Sequence, residues 1–435
     1  MKHRCAVKMS FLLVLCTAVH GADWPQWRGP NRDGVWSEDR IVEQFTGAQL
    51  QVRWRAEVGP GYSGPTVAGG RVFVMDRQRT PKEIERVLCL DVPTGKTIWR
   101  HEYACAYEKV QYTAGPRASV TIGGELAFSL GTMGHLFCLK TSDGQVVWNK
   151  ELKAEYQVAM PIWGIAASPL VEGDLVIVQA GGRPGACLIA FDKRSGQERW
   201  RALNDRASYS SPIIIEQPGR RVLICWTGDG IAALNPQTGQ VYWQYPFKPK
   251  QMVINIATPV VHGENLFLTG FYDGSLLLRL DPNGLKVDKV WQRCGQNEQV
   301  TDALHCCIST PVMLGDFIYG VDSYGQLRCL SLQTGDRIWE DLQLVPKARW
   351  ANIHLVRHGQ QVWMFNERGE LIITELGPKG CRQISRTQVI EPTTGQLDQR
   401  GGVCWSHPAF ADRSIFARND RELVCADLAS LEARP

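Results

Sequence analysis

One short pattern constrains this chain more than anything else in it. Thr94-Gly95 with Trp99, Asp143-Gly144 with Trp148, Ser195-Gly196 with Trp200, Thr238-Gly239 with Trp243 and Thr334-Gly335 with Trp339 all place a Trp four residues after a Gly, and Asn283-Gly284 with Trp291 is a looser copy. Successive Trp residues are 49, 52, 43, 48 and 48 positions apart. A second marker keeps the same period. Small-Pro pairs open apolar runs at Gly64-Pro65, Ser168-Pro169, Ser211-Pro212, Thr258-Pro259, Thr310-Pro311 and His407-Pro408. The two wider gaps each leave room for one copy without Pro, around Ala118-Ser119 and around His354. That makes eight units averaging 49 residues.

Each unit reads as four strands. A Pro-led β-branched run is followed by a Gly turn and a second apolar run. A hairpin at Gly134, Gly230, Gly274, Gly325 or Gly369 leads to the third run, and the Thr-Gly turn leads to the Trp strand. No stretch keeps a 3.6-residue period. Four short strands recurring at this spacing predict an all-β, eight-bladed β-propeller of four-stranded blades. The last unit lacks a Trp strand, and a spare one, Gln51 to Arg55 with Trp54, precedes the first unit. This N-terminal strand is expected to complete the eighth blade as its outermost strand and so remove the free edge of the ring. Residues 23–435 are therefore read as a single domain. The role expected of Trp54, Trp99, Trp148, Trp200, Trp243, Trp291 and Trp339 is structural docking between blades. Each should bury ~150–250 Å², with its indole N–H on an acceptor of the next blade.

Residues 1–22 read as a secretory signal. Lys2, Arg4 and Lys8 precede an apolar run from Met9 to Val19, and Gly21-Ala22 offers small residues for cleavage. Leu15 precedes Cys16 where a lipoprotein box wants a small residue, so no lipid anchor is expected. An exported protein, periplasmic or extracellular, follows, and no later run is long enough to span a membrane. The formal charge is +4; without the three basic leader residues it is 45 against 44. A near-neutral chain argues against nucleic acid as a partner. Twelve of the 14 Cys lie beyond the leader. Cys89, Cys138, Cys187, Cys329 and Cys425 fall in apolar runs, where Cys acts as a small buried hydrophobe, so most thiols are expected free.

The unit resembles the repeat of pyrroloquinoline-quinone (PQQ) dehydrogenases, whose eight-bladed propeller carries an Ala-x-Asp-x-x-Thr-Gly-x-x-x-Trp docking motif. Leu90-Asp91 through Trp99 and Leu234-Asn235 through Trp243 match it. The same repeat occurs in the propeller lipoprotein of the outer-membrane β-barrel assembly machinery. The stretch from Trp24 to Gly34 looks like the opening of exported PQQ-like repeat proteins of unassigned role. The seventh unit departs, with Glu375 to Gly380 in place of the docking motif.

Strand starts and the loops before them line the axis of such a fold. Those positions hold Tyr62, Arg117, Trp163, Tyr209, Asn255, His305, Trp350, Asn352, Trp405 and His407. Aromatic and polar groups around one mouth suit a flat ligand or a peptide, or else a channel plugged by aromatics packed on each other. Cys306 and Cys307 are adjacent and could form a vicinal disulfide. The resemblance implies that such a ring faces the quinone in the alcohol dehydrogenases, although there it belongs to an early blade and here to the sixth unit. A quinoprotein also needs Ca²⁺ and an Asp base. The axial positions offer no carboxylate; Glu298 and Asp302, before Cys306, are the nearby candidates. No Cys-x-x-Cys-His haem motif, no metal-ligand set and no catalytic residue is recognised. His354 and His358 read as ordinary surface histidines, and Asp76 to Arg86 as a solvated loop. Arg117 reads as an inward-pointing cation, for a salt bridge or an anion.

Two readings follow. The first is an exported, non-catalytic binding or scaffold module of the cell envelope, with a protein, peptide or glycan partner and no cofactor. The alternative is a PQQ-dependent oxidoreductase with PQQ and Ca²⁺.

Overall fold

The computed structural model describes residues 22–430. The leader reading, residues 1–22, lies outside the described residues except for Ala22, and the lipid-anchor reading at Cys16 lies wholly outside them. The strands form eight four-stranded antiparallel sheets. Blade 1 runs through Thr66–Ala68, Arg71–Gln78, Ile84–Asp91 and Thr97–Ala104. Blades 2 to 7 follow in chain order at 121–151, 170–202, 213–246, 260–293, 312–341 and 353–388. Blade 8 takes three strands from 409–427 and its outermost one from Val52–Glu57. Trp54 lies opposite Cys425 and Arg55 opposite Val424, so the two ends of the ring share one sheet. The described residues hold one helix, the single turn Leu152–Glu155, and no helix among them is long and apolar enough to cross a membrane.

The core sits between blades. Separate apolar clusters join blades 1 and 2, 2 and 3, 3 and 4, 4 and 5, 5 and 6, and 6 and 7, and one larger cluster spans blades 7, 8 and 1. Inner strands are therefore buried on both faces, which is why they read as continuous apolar runs such as Val72 to Met75 rather than as alternating ones. Outer strands alternate, with the docking Trp buried between exposed neighbours.

The docking seam is built as the sequence implies. Trp54, Trp99, Trp148, Trp200, Trp291 and Trp339 donate their indole N–H to backbone carbonyls of Val92, Thr141, Lys193, Pro236, Leu332 and Gly377, each on the next blade, at 2.6–3.1 Å. The Gly of the next turn does two jobs. It takes positive φ, and a Cβ on Gly95, Gly144, Gly196 or Gly239 would sit 2.5–2.7 Å from the preceding Trp ring. The residue opposite the Trp on the third strand is small where it is Cys89, Cys138, Cys329 or Cys425, or Ala190 and Ala233. These cysteines leave space for an indole. All twelve described cysteines are free thiols. Trp243 departs from the rule. Blade 5 lacks the Thr-Gly turn, and Trp243 donates instead to Gln217 of its own blade at 3.4 Å. Gln217 passes the link on, donating to Lys286 O at 2.7 Å on blade 5.

A second belt runs inside the ring. The backbone N–H of Ser119 donates to Ser168 Oγ, that of Ser168 to Ser211 Oγ and that of Thr258 to Thr310 Oγ1, at 2.9–3.0 Å. Ser168, Ser211 and Thr310, each the residue before a Pro, thus tie one crossing to the next.

Two sequence readings are corrected here. Asp76 to Arg86 is not a solvated loop: it spans the tip of a long hairpin, with Asp76 fully buried and paired to Arg86 at 2.6 Å. Its alternating charges serve the two faces of a strand. Gly230 does not take positive φ; a Cβ there would meet Tyr245 O at 2.6 Å, so close approach of backbone explains it.

The segment before the closing strand fills the axial channel. Trp24 pairs with Val67 of blade 1, and Pro25 O accepts from Ile122 of blade 2. Arg32 donates to carbonyls of Ser168, Pro169 and Pro212 on blades 3 and 4. Trp27 donates to Thr258 Oγ1 at 2.8 Å on blade 5, and Trp36 N–H donates to Arg357 O on blade 7. Arg28 and Arg32 are fully buried, and desolvation lowers them to about 10 and about 9.

Candidate functional site

Above that plug, all eight crossings between blades converge on one cleft of about 150 Å³, the volume of a single small aromatic molecule. Its wall takes Tyr62 from the crossing into blade 1, Tyr112 and Arg117 from that into blade 2, and Trp163, Tyr209, Ile256 and Cys307 from the next four. Trp350 enters from the crossing into blade 7, Trp405 from the one into blade 8, and Trp27 of the plug joins the lining with His407. Tyr112 is the hub, with ring centroids 6.0, 6.2 and 6.4 Å from Trp163, Trp350 and Trp405.

Tyr112 and Trp350 both hold left-handed backbone, at φ +54° and +65°. An aromatic residue there is strained, on the order of 1–3 kcal/mol, and such strain collects at ligand sites. No sequence signal marks either position as left-handed. Tyr112 lies in the long 105–120 crossing, which carries no repeat landmark.

The cleft is apolar with few polar groups. Arg117 is the one charged side chain in its lining. Its guanidinium donates to Gly115 O at 2.6 Å and Gln111 O at 2.8 Å, and stacks over Tyr62 with 5.1 Å to the ring centroid. Among the described residues no carboxylate lies at ion-pair distance from it, so the salt-bridge reading does not hold and the charge is held by neutral acceptors. Burial raises the Tyr62 hydroxyl, pushes Tyr209 up to about 12 and Cys307 up to about 12, so all three stay protonated. Two buried polar atoms on the lining have no hydrogen-bond partner among the described residues: Trp163 Nε1 and His407 Nε2. Burial, with His354 and Arg28 close by, holds the His407 ring neutral, and its Nδ1 faces Pro408 O. A proton on Nδ1 leaves Nε2 as an acceptor, on the same cleft lining as the indole donor of Trp163. Unpaired buried groups of this kind are rare and call for an explanation such as a ligand.

Seven of the ten expected axial residues line the cleft. Asn255, His305 and Asn352 do not. Asn255 turns into the body and donates to Thr227 O at 2.8 Å. His305 lies between Phe271 O and the Gly295 N–H. Asn352 Oδ1 accepts from the Ser309 hydroxyl. Each is one or two positions from a residue that does face the cleft, and the irregular path of the crossing backbone decides which of them points inward. His354 is not a surface histidine: it is buried against Trp405 O at 2.8 Å, and desolvation lowers it to about 4. His358 accepts a different role, with Nδ1 on Trp36 O at 3.0 Å.

Cys306 and Cys307 are separate free thiols. Cys306 packs in the core between blades 5 and 6, and Cys307 alone reaches the cleft. Glu298 is held by Arg349 at 2.7 Å and Asp302 by Arg293 at 2.9 Å. A tricyclic quinone with Ca²⁺ needs several oxygen ligands and a base. The residues present do not fit that group, because no carboxylate lines the cleft.

Comparison with known proteins gives a consistent picture. Residues 83–341, more than half of the chain, match the family model described as outer membrane protein assembly factor BamB. BamB of Shewanella oneidensis is 25% identical over 163 residues, 37% of this chain and 39% of that protein. BamB of Burkholderia pseudomallei is 29% identical over 207 residues, 45% and 46% of the two chains. The chain spans less than half the length of these curated relatives. Among solved structures, BamB from Moraxella catarrhalis aligns with TM-score 0.59 at 17% identity, covering 87% of this chain and 98% of its own. A quinohemoprotein alcohol dehydrogenase from Comamonas testosteroni aligns with TM-score 0.61 at 12% identity, covering 95% and 81%. At those identities both show the fold alone.

Proposed function

The chain belongs to the family of the outer membrane protein assembly factor BamB, and from that premise we propose that it is a non-catalytic scaffold of the cell envelope that binds a segment of a partner protein. The observation that carries this reading is the cleft wall: aromatics from most of the crossings, two of them on strained backbone, around one cation and no carboxylate. Such a wall recognises a side chain and excludes water; it holds no carboxylate base and no oxygen cage with which to oxidise a substrate. In this reading one apolar or aromatic side chain of the partner enters between Trp163 and Trp350. The partner's backbone meets Trp163 Nε1 and His407 Nε2, and an acidic group beside it meets Arg117. The single residue expected to matter most is Trp350.

The test is capture of outer-membrane assembly proteins from the native host by the purified full chain. We expect capture by the wild type and its loss in Trp350→Ser. Undiminished capture by that variant would move binding away from the cleft. Dye-linked alcohol oxidation that requires both PQQ and Ca²⁺ would replace this reading with the quinoprotein one.

A further inference from the structure

Behind the cleft, blades 1 and 2 bring together a carboxylate, a thiol and an imidazole. Glu85 lies on the third strand of blade 1, Cys105 directly follows its fourth strand, and His135 opens the third strand of blade 2. Their ligand-competent atoms all lie within 4.8 Å of one another, and Cys105 Sγ is 3.7 Å from His135 Nδ1. That separation suits two ligands of one tetrahedral ion with bonds of ~2.0–2.3 Å.

Two further observations point to a cation. His135 Nε2 lies 3.2 Å from Glu151 Oε2. A proton on Nε2 leaves the Nδ1 lone pair directed at the thiol, and carboxylates set metal-bound imidazoles in this way. Glu85 is fully buried, and among the described residues no Lys, Arg or His lies at ion-pair distance from it. Its oxygens accept instead from the Tyr103 hydroxyl at 2.6 Å, the Tyr107 hydroxyl at 2.5 Å and the Thr132 N–H at 3.2 Å. Its hydrogen-bond partners are thus all neutral donors, whereas buried carboxylates are ordinarily ion-paired or bound to a metal.

We propose that Glu85, Cys105 and His135 form a binding site for a divalent transition-metal cation, zinc before others. One oxygen, one sulfur and one imidazole nitrogen suit zinc and exclude calcium and magnesium as preferred occupants. Binding breaks the Cys105 S–H bond, forms a sulfur–metal bond and releases the proton to solvent; no electron moves. Burial and the neighbouring Glu85 raise the free Cys105 thiol. The ion would fasten blade 1 to blade 2. It would also stiffen the cleft, since Tyr107 bonds Thr132 Oγ1 at 2.7 Å and Thr132 Oγ1 accepts from Arg117 at 3.2 Å.

The experiment is titration of the reduced full chain with Co²⁺, read by thiolate-to-cobalt charge-transfer absorption and by the visible bands of a tetrahedral ion. We expect one equivalent to bind, and one equivalent of Zn²⁺ to remove the absorption. Cys105→Ser should abolish the charge-transfer band, and His135→Gln should weaken binding by about 100-fold or more. Glu151→Gln should weaken it by about 10-fold, whereas Cys307→Ser should leave it unchanged. His135 is partly exposed, so His135→Gln keeps the test valid if Cys105→Ser does not fold. No saturable band in the wild type, or an undiminished band in Cys105→Ser or His135→Gln, overturns the site. Neither result bears on partner capture through the cleft.

Discussion

The outer seam and the inner mouth of this propeller follow opposite rules. At the seam the same contact recurs around the ring. An indole lies over a glycine that has no Cβ to obstruct it and donates to a carbonyl of the next blade. At the mouth the crossings supply unlike groups: Tyr from three, one of them with Arg117, Trp from three others, Ile256 from one and Cys307 from another. Where blades must fit identically, chemistry is repeated. Where eight different loops meet at one cleft, it is free to differ, and unpaired atoms and left-handed aromatics are tolerated there. Trp243 shows how the seam survives a defect, because Gln217 spans the gap left by the missing turn.

The largest effect expected tests this contrast directly. Trp148→Ala should cost ~3–5 kcal/mol through lost burial and a cavity, whereas Tyr112→Ala at the mouth should stay within about 1 kcal/mol. Denaturant unfolding of both variants measures it; equal losses would erase the distinction.

The next largest concerns the layer between mouth and plug. His354 is held near 4 when folded against an ordinary value of 6.5. The unfolded chain therefore takes up a proton that the folded chain refuses. Stability is fully present above about pH 6.5 and falls as pH drops towards 4, by ~3 kcal/mol for this one group. Unfolding free energies measured across that range should flatten by this amount in His354→Gln.

A smaller pair of variants separates turn from docking. Gly196 and Gly219 both take positive φ, at +71° and +67°. A Cβ on Gly196 would lie 2.7 Å from Trp148, while one on Gly219 would meet nothing within 4 Å. Gly219→Ala should cost ~1 kcal/mol for the left-handed backbone, and Gly196→Ala a further ~1–3 kcal/mol for the crowded indole. Matching melts would mean that these glycines serve the turn alone.

The smallest stability change should come from Trp350→Gly. Glycine relieves left-handed strain of ~1–2 kcal/mol and gives up some packing, so unfolding should shift by about 1 kcal/mol or less in either direction. Partner capture should nevertheless drop by at least about 10-fold, the effect of losing one anchoring aromatic. A large stability loss with capture intact would make Trp350 a packing residue.

The propeller, its eight blades and its closing strand were legible in the chain because turn chemistry and the Gly-to-Trp interval act over a few residues and recur. Ser168, Ser211 and Thr310 were visible as landmarks, though their hydroxyl belt was not, since it joins residues 43 to 52 positions apart. The mouth was legible only as a set of loops. Which residue of each loop faces inward depends on the local path of irregular backbone, so Trp350 faces the cleft and Asn352 faces Ser309. Trp27 and the plug it belongs to carried a signal in the density of Trp, Arg and Gly between Trp24 and Gly34, but not where that segment would lodge. Glu85, Cys105 and His135 share no motif at all. Strand register in blade 1 and the packing of blade 2 against it put them side by side. Local spacing determined the repeating frame, and the closing of that frame into a ring decided which unlike residues meet, because convergence at the axis and between blades is a property of the ring and not of any segment.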